Sequence, residues 1–176
     1  VAEEIQAPYR EKWLDGHNVV TLLHGFGLLQ FTENGSAISY LTETMFKQEM
    51  LADLNEQQFS MFISALDELG VKCTEDQWNT LDKELCKASR LYGLSRQGIV
   101  NVVRRLAQME FPHKGTLEAL VLESVQPKRV RNYNGQDLAN LVHTVAVKDL
   151  QREVVLPILE DRVIEQQTLR SLDRKS

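Results

Sequence analysis

The sequence predicts an all-α chain, arranged as a right-handed solenoid of about four antiparallel two-helix repeats of ~40 residues with partial repeats at both ends. Three observations carry this expectation. Four segments align without gaps at nearly even spacing, their apolar positions fall at helical intervals, and each opens on a helix-capping residue.

The aligned segments are DGHNVVTLLHGFGLLQF from Asp15, NEQQFSMFISALDELGV from Asn55, SRQGIVNVVRRLAQMEF from Ser95 and NGQDLANLVHTVAVKDL from Asn134. The last interval is shorter than the other two by one position. Read as columns the segments give Val19, Phe59, Ile99 and Leu138, then Leu22, Phe62, Val102 and Leu141. The next are Leu23, Ile63, Val103 and Val142, followed by Phe26, Leu66, Leu106 and Val145. These positions, at i, i+3, i+4 and i+7, form the stripe of an amphipathic helix, here called helix A. Asp15, Asn55, Ser95 and Asn134 can accept hydrogen bonds from the first-turn N–H groups. Leu14, Leu54, Leu94 and Tyr133 precede them as hydrophobic staples.

Each helix A should be followed by a helix B. Residues 1–14 read as the end of a preceding repeat, with Ile5, Tyr9 and Trp13 as its apolar face. Repeat 15–54 places helix B at 36–50 (Ile38, Leu41, Met45), and repeat 55–94 at 75–90 (Trp78, Leu81, Leu85). Repeat 95–133 places it at 115–126 (Leu117, Leu120, Val121). Repeat 134–172 places it at 152–166 (Val155, Ile158, Leu159), with Pro157 expected to kink or restart it. Asn34-Gly35, Gly70, Gly93 and Pro112 mark the breaks. Ser171-Leu172-Asp173 repeats the staple-plus-cap pattern, so 173–176 is expected to begin a further repeat.

Composition limits the function classes. Of 176 residues 43% are hydrophobic, enough for a real core, and no apolar run approaches the ~20 residues of a membrane helix, so no membrane partner is expected. Cys73 and Cys86 are too few for a disulfide framework or zinc cluster, and a reducing compartment fits them. Cys86 is expected on the apolar side of its helix. The net charge of −5 argues against non-specific grip on nucleic acid, but it is uneven. Residues 1–88 carry 6 Lys/Arg against 15 Asp/Glu, whereas 89–176 carry 14 against 10, so the acidity belongs to the first half.

The side of helix A opposite the core, taken at about 100° per residue, begins with the row His17, Gln57, Gln97 and Gln136. The third and fourth copies add Asn101 and Asn140, then Arg104 and His143. Such amide and cationic groups, repeated from unit to unit, are what recognition of a single strand uses; a plainly solvated face gives the same pattern. Lys128, Arg129 and Arg131, in the loop before the fourth helix A, join Arg104 and Arg105 as candidate phosphate contacts or as a patch for an acidic partner. Lys148 interrupts an apolar column of Leu29, Leu69 and Met109.

No phosphate-binding Gly-rich loop, HExxH, CxxC or GxSxG is present. The bare Gly25-Phe26-Gly27 reads as a close-packing device. His17, His24, His113 and His143 are dispersed, so no metal, no cofactor and no catalysis are expected.

The helix A pattern and its unit length resemble organellar α-helical repeat proteins, the stretch from Asn134 to Ala146 most of all. It is similar to octotricopeptide-type units and to mitochondrial helical-repeat proteins of kinetoplastid RNA processing and editing complexes; HEAT and armadillo arrays share the unit length. The resemblance implies a mitochondrial, non-enzymatic module within an RNA-processing complex, with protein subunits and single-stranded RNA as partners. The candidate RNA- or partner-binding site, read from the outward rows and the basic run, comprises Gln97, Asn101, Arg104, Arg105, Lys128, Arg129, Arg131, Gln136, Asn140 and His143. Without the resemblance, the reading is a protein–protein scaffold in a reducing compartment such as the cytoplasm. Solenoids without polar caps also pair end to end, so an end-to-end dimer is a further expectation.

Overall fold

The computed structural model describes residues 14–173 apart from 32, 34, 48 and 49, and among these it holds helices and no strand. The helix expected within 1–14 lies outside the described residues, Leu14 aside. Two compact units divide at a boundary between Gly93 and Leu94. The first contains α1 (Gly16–Leu28), α2 (Gly35–Lys47), a 3-10 turn (Met50–Asp53), α3 (Glu56–Glu68), α4 (Glu75–Leu85) and α5 (Ala88–Gly93). The second contains α6 (Arg96–Gln108), α7 (Lys114–Ser124), α8 (Pro127–Val130), α9 (Gly135–Lys148) and α10 (Arg152–Asp173).

The four A helices are α1, α3, α6 and α9. Their starts are set by the expected caps: the side chains of Asp15, Asn55, Ser95 and Asn134 accept from the backbone N–H of Asn18, Gln58, Gly98 and Asp137. Each such cap contributes on the order of 1 kcal/mol. In α3 and α9 the bond is reciprocated by Gln58 and Asp137 to complete a capping box. Thr74 and Gln77 form another at α4.

The ends of the A helices are alike too. Gln30, Gly70, Glu110 and Asp149 all adopt positive φ, each at the same offset from its cap. The next N–H reaches back to the last turn: Phe31 to the Phe26 carbonyl, Val71 to Leu66, Phe111 to Leu106 and Leu150 to Val145, at 2.9, 2.9, 2.9 and 3.1 Å. This is the Schellman closure, normally built on glycine because a Cβ disfavours the left-handed region. Only Gly70 supplies that freedom here.

Inside each unit the A helices pack as neighbours, α3 against α1 and α9 against α6. Of the sixteen column positions all are buried except Leu22 and Phe26 on α1 and Val142 on α9. Burying such a side chain contributes ~1.5–3 kcal/mol, so these columns hold the units together. Gly27 lets α1 and α3 meet closely, because a Cβ there would stand 2.9 Å from the Glu68 carboxylate. Gly25 has open space around it and plays no such part.

The B halves are less regular than expected. The helix expected at 75–90 ends at Leu85, with α5 following, and the third ends at Ser124, followed by the one-turn α8. The fourth runs unbroken to Asp173. Pro157 lies in its second turn, where only one intrahelical hydrogen bond is forfeited, and the helix continues through it. The further repeat expected from 173 lies outside the described residues, Asp173 aside. Cys86 also departs from expectation: it is the C-cap of α4 and exposed. Half-buried Cys73 is the protected thiol, its pKa pushed up to about 12 by burial.

A buried arginine closes each unit, although its charge marks it in the sequence as a surface residue. Buried Arg90 donates from Nε and Nη2 to Glu84 Oε1 (3.1 and 2.8 Å), from Nη1 to the Leu54 carbonyl (2.7 Å) and from Nη2 to that of Leu51 (2.9 Å). Its guanidinium also lies 4.5 Å from the Phe59 ring centre. In the second unit Arg129 Nε donates to Glu123 Oε1 (2.8 Å) and Nη1 to the Leu94 carbonyl (2.6 Å). Both members of the pair recur one repeat later at an identical shift, Glu84 to Glu123 and Arg90 to Arg129. Each clasp ties the segment after helix B to the residue before the helix A cap. Burial alone would raise the Glu84 carboxyl; hydrogen bonds and charge from Lys87 and Arg90 outweigh it and hold the group below its ordinary value.

Candidate functional site

The second unit contains all ten candidate residues, and the structure sorts them into three groups. The first lies along the seam where α9 packs on α6. Arg104, Ala107 and Gln108 from α6 face Asn140, His143, Thr144, Val147 and Lys148 from α9 across an open groove of about 390 Å³. Helical geometry explains the gathering. Positions 104 and 108 stack one turn apart on α6, and 140, 143 and 147 do so on α9.

Hydrogen bonds order this surface. Arg104 Nη1 donates to Gln108 Oε1 at 3.1 Å, and Gln136 Nε2 donates to Asn140 Oδ1 at 3.0 Å. Thr144 Oγ1 returns to the Asn140 carbonyl at 2.8 Å, which anchors that turn of α9. Gln97 and Gln136 are exposed nearer the helix starts, and Asn101 is half-buried. They share the outward rows without lining the groove. His143 is exposed.

Arg105 stands apart from Arg104. It occupies the column of Gly25, Ala65 and Thr144, does not line the groove and is half-buried. The third group is the basic run. The sequence places Arg129 on a phosphate-facing surface; in the structure it is buried and held by Glu123 and the Leu94 carbonyl. That assignment is corrected: a guanidinium bound on two sides inside the fold is not free to meet a ligand. Lys128 is exposed and lies 3.3 Å from Glu123 Oε1. Exposed Arg131 lines a separate cavity of about 430 Å³, with Leu122, Val125, Val130, Val154 and Ile158 among its walls. Arg162 fixes this region by donating to the Arg131 carbonyl at 2.6 Å.

Lys148 belongs to the groove, although the sequence marks it only as a break in an apolar column. The missing signal is pairwise. A lysine in an edge column, one repeat on from Met109 and one turn from Thr144, stands at the seam between adjacent A helices.

The same register positions in the first unit hold His24, Gly27 and Leu28 on α1 and Met61, Ser64, Ala65, Glu68 and Leu69 on α3. The α6–α9 seam carries Arg104, Lys148 and His143 with no carboxylate among its lining residues, whereas its counterpart carries Glu68. Only the second unit's seam therefore presents cations and amides without an acid.

Among the described residues no group of three or more His, Cys, Asp or Glu side chains is placed to hold a metal ion. No helix among them is long and apolar enough to cross a membrane. Compared with family models, curated proteins and solved structures, the chain finds no match.

Proposed function

We propose that this chain is a non-catalytic helical-repeat module that binds single-stranded RNA and protein subunits within an organellar, mitochondrial RNA-processing complex. The observation that carries the RNA contact is the acid-free seam of Arg104, Asn140, His143 and Lys148, flanked by the Gln97, Asn101 and Gln136 rows. Cations there suit phosphates, and the amides suit base edges, which single strands leave accessible. In this reading the A helices form the successive turns of a right-handed solenoid. The equal cap-to-closure distance in all four copies and the paired packing of A helices support it. The organellar setting rests on the resemblance in the helix A pattern.

A second reading, a protein scaffold without RNA contact, is favoured by the cavity between α7, α8 and α10. Its apolar walls of Leu122, Val125, Val154 and Ile158, rimmed by Arg131, Asp161 and Glu165, suit a protein segment better than a polyanion.

Titration of a fluorescent single-stranded RNA pool at about 50 and 200 mM salt separates the two, since phosphate contacts weaken steeply with salt. The RNA reading expects salt-sensitive binding and at least a ten-fold loss for Arg104→Glu/Lys148→Glu. Failure of the folded chain to bind at the lower salt would defeat it and leave the scaffold.

A further inference from the structure

Two strips build the contact between neighbouring A helices. The seat is Val20, Leu23 and Gly27 on α1, and Val100, Val103 and Ala107 on α6, all buried. The contact of Glu68 with Gly27 shows that this side of α1 receives α3. The arriving strip is identified by Gln58, whose Nε2 lies 2.8 Å from His17 Nδ1. In line with Gln58 along α3 come Phe62, Ala65 and Leu69, all buried. The corresponding positions on α9 are Leu141, Thr144 and Lys148, of which Thr144 and Lys148 line the α6 seam.

On two A helices the matching strip lies in the open. At seat positions α9 carries Ala139, Val142 and Ala146, all exposed, Val142 at 37% against 0% for Leu23 and Val103. At arriving positions α1 carries Leu22, Gly25 and Leu29, where Leu22 is 36% and Leu29 77% exposed, against 0% and 8% for Phe62 and Leu69. The chain thus displays both halves of a contact that it makes twice internally.

We propose that a second copy of this chain docks head to tail, its α1 strip of Leu22 and Leu29 seated on the Ala139, Val142 and Ala146 strip of α9. The occupant follows from continuity with the internal packing, since a helix with this strip is what each buried seat receives. The contact is heterologous, so a single contact leaves a seat free on one copy and a strip free on the other, to which further copies can add. It uses none of Arg104, Asn140, His143 or Lys148 and does not depend on the RNA reading.

Sedimentation over a wide concentration range tests this. The unaltered chain should form concentration-dependent dimers and larger species. Leu22→Asp and Val142→Asp should each be monomeric alone, because each lacks one half of the contact. Mixed, they should form a one-to-one dimer and nothing larger, since each retains the half the other needs. A monomeric parent chain at all concentrations overturns the proposal, and so does self-association surviving in either variant or a mixture that stays monomeric. Matching circular dichroism shows that the variants fold. If one does not, Leu29→Lys and Ala146→Arg replace them.

Discussion

Replacing Arg129 by alanine separates the two roles this side chain has been assigned. Three contributions are lost together: the Nε bond to Glu123, the Nη1 bond to the Leu94 carbonyl, and the counter-charge for a carboxylate only 8% exposed. Breaking a buried pair from one side costs about 3–5 kcal/mol, because the partner's charge is left behind. Lys128, 3.3 Å from the same oxygen, can take up part of that charge, which places the expected loss near ~3 kcal/mol. For a cooperative unit of this size each kcal/mol lowers Tm by roughly 4–8 °C, so the melting point should fall by roughly 12–24 °C. Thermal and urea unfolding followed by circular dichroism measure it. Lys128→Ala, at an exposed site, should cost about 0.5 kcal/mol. The double variant Glu123→Ala/Arg129→Ala should lose clearly less than the sum of the single losses, since no orphan charge remains. A loss below about 1 kcal/mol for Arg129→Ala would refute the clasp and return Arg129 to the candidate ligand contacts.

Glu110→Gly should stabilise the second unit by up to about 1 kcal/mol by relieving a left-handed backbone, while Gly70→Ala should destabilise the first by about as much. Urea midpoints check both, and a destabilised Glu110→Gly variant counts against the strain. The depressed Glu84 pKa implies stability that is complete above about pH 5 and is lost as pH falls through the folded-state value below 4.5. The stability gap between the parent chain and Glu84→Gln should therefore narrow towards pH 3, and a constant gap from pH 7 downwards would exclude the coupling. Alkylation at pH 8 should label exposed Cys86 well before Cys73, whose thiol is pushed up to about 12, as peptide mass mapping would show. Equal rates at the two sites would contradict the burial of Cys73.

The A helices were legible because their signals are local. A capping side chain and apolar residues at helical spacing act within a few turns, and Asp15, Asn55, Ser95 and Asn134 do what their chemistry suggests. The B halves were less legible because tertiary bonds shape them. Arg90 and Arg129 look like solvent-facing charges, yet each bonds carbonyls far off in the chain, at distances that periodicity cannot register. Gln30, Glu110 and Asp149 carry no glycine signal for the turns they make. Of the candidate surface, the rows opposite the core followed from helical angle alone. The partnership of Arg104 with Lys148 needed the seam between two helices, and the interior position of Arg129 needed the clasp.

The constant distance from each cap to its left-handed residue has a consequence for how such a chain can change length. The third repeat is one position shorter than the second, and the loss can be located. Glu110 still stands in the register of Gly70, whereas His113, Glu123 and Arg129 are already displaced relative to Thr74, Glu84 and Arg90. The missing position therefore falls in the short link between the left-handed residue and helix B. The segment after helix B varies in form as well, from a 3-10 turn to a six-residue and then a four-residue helix. Length is thus held rigid in helix A and left elastic in the links around helix B. A position added or removed in those links leaves each outward side chain of helix A at its distance from the cap, so insertions engineered there should leave the outward rows of each helix unchanged.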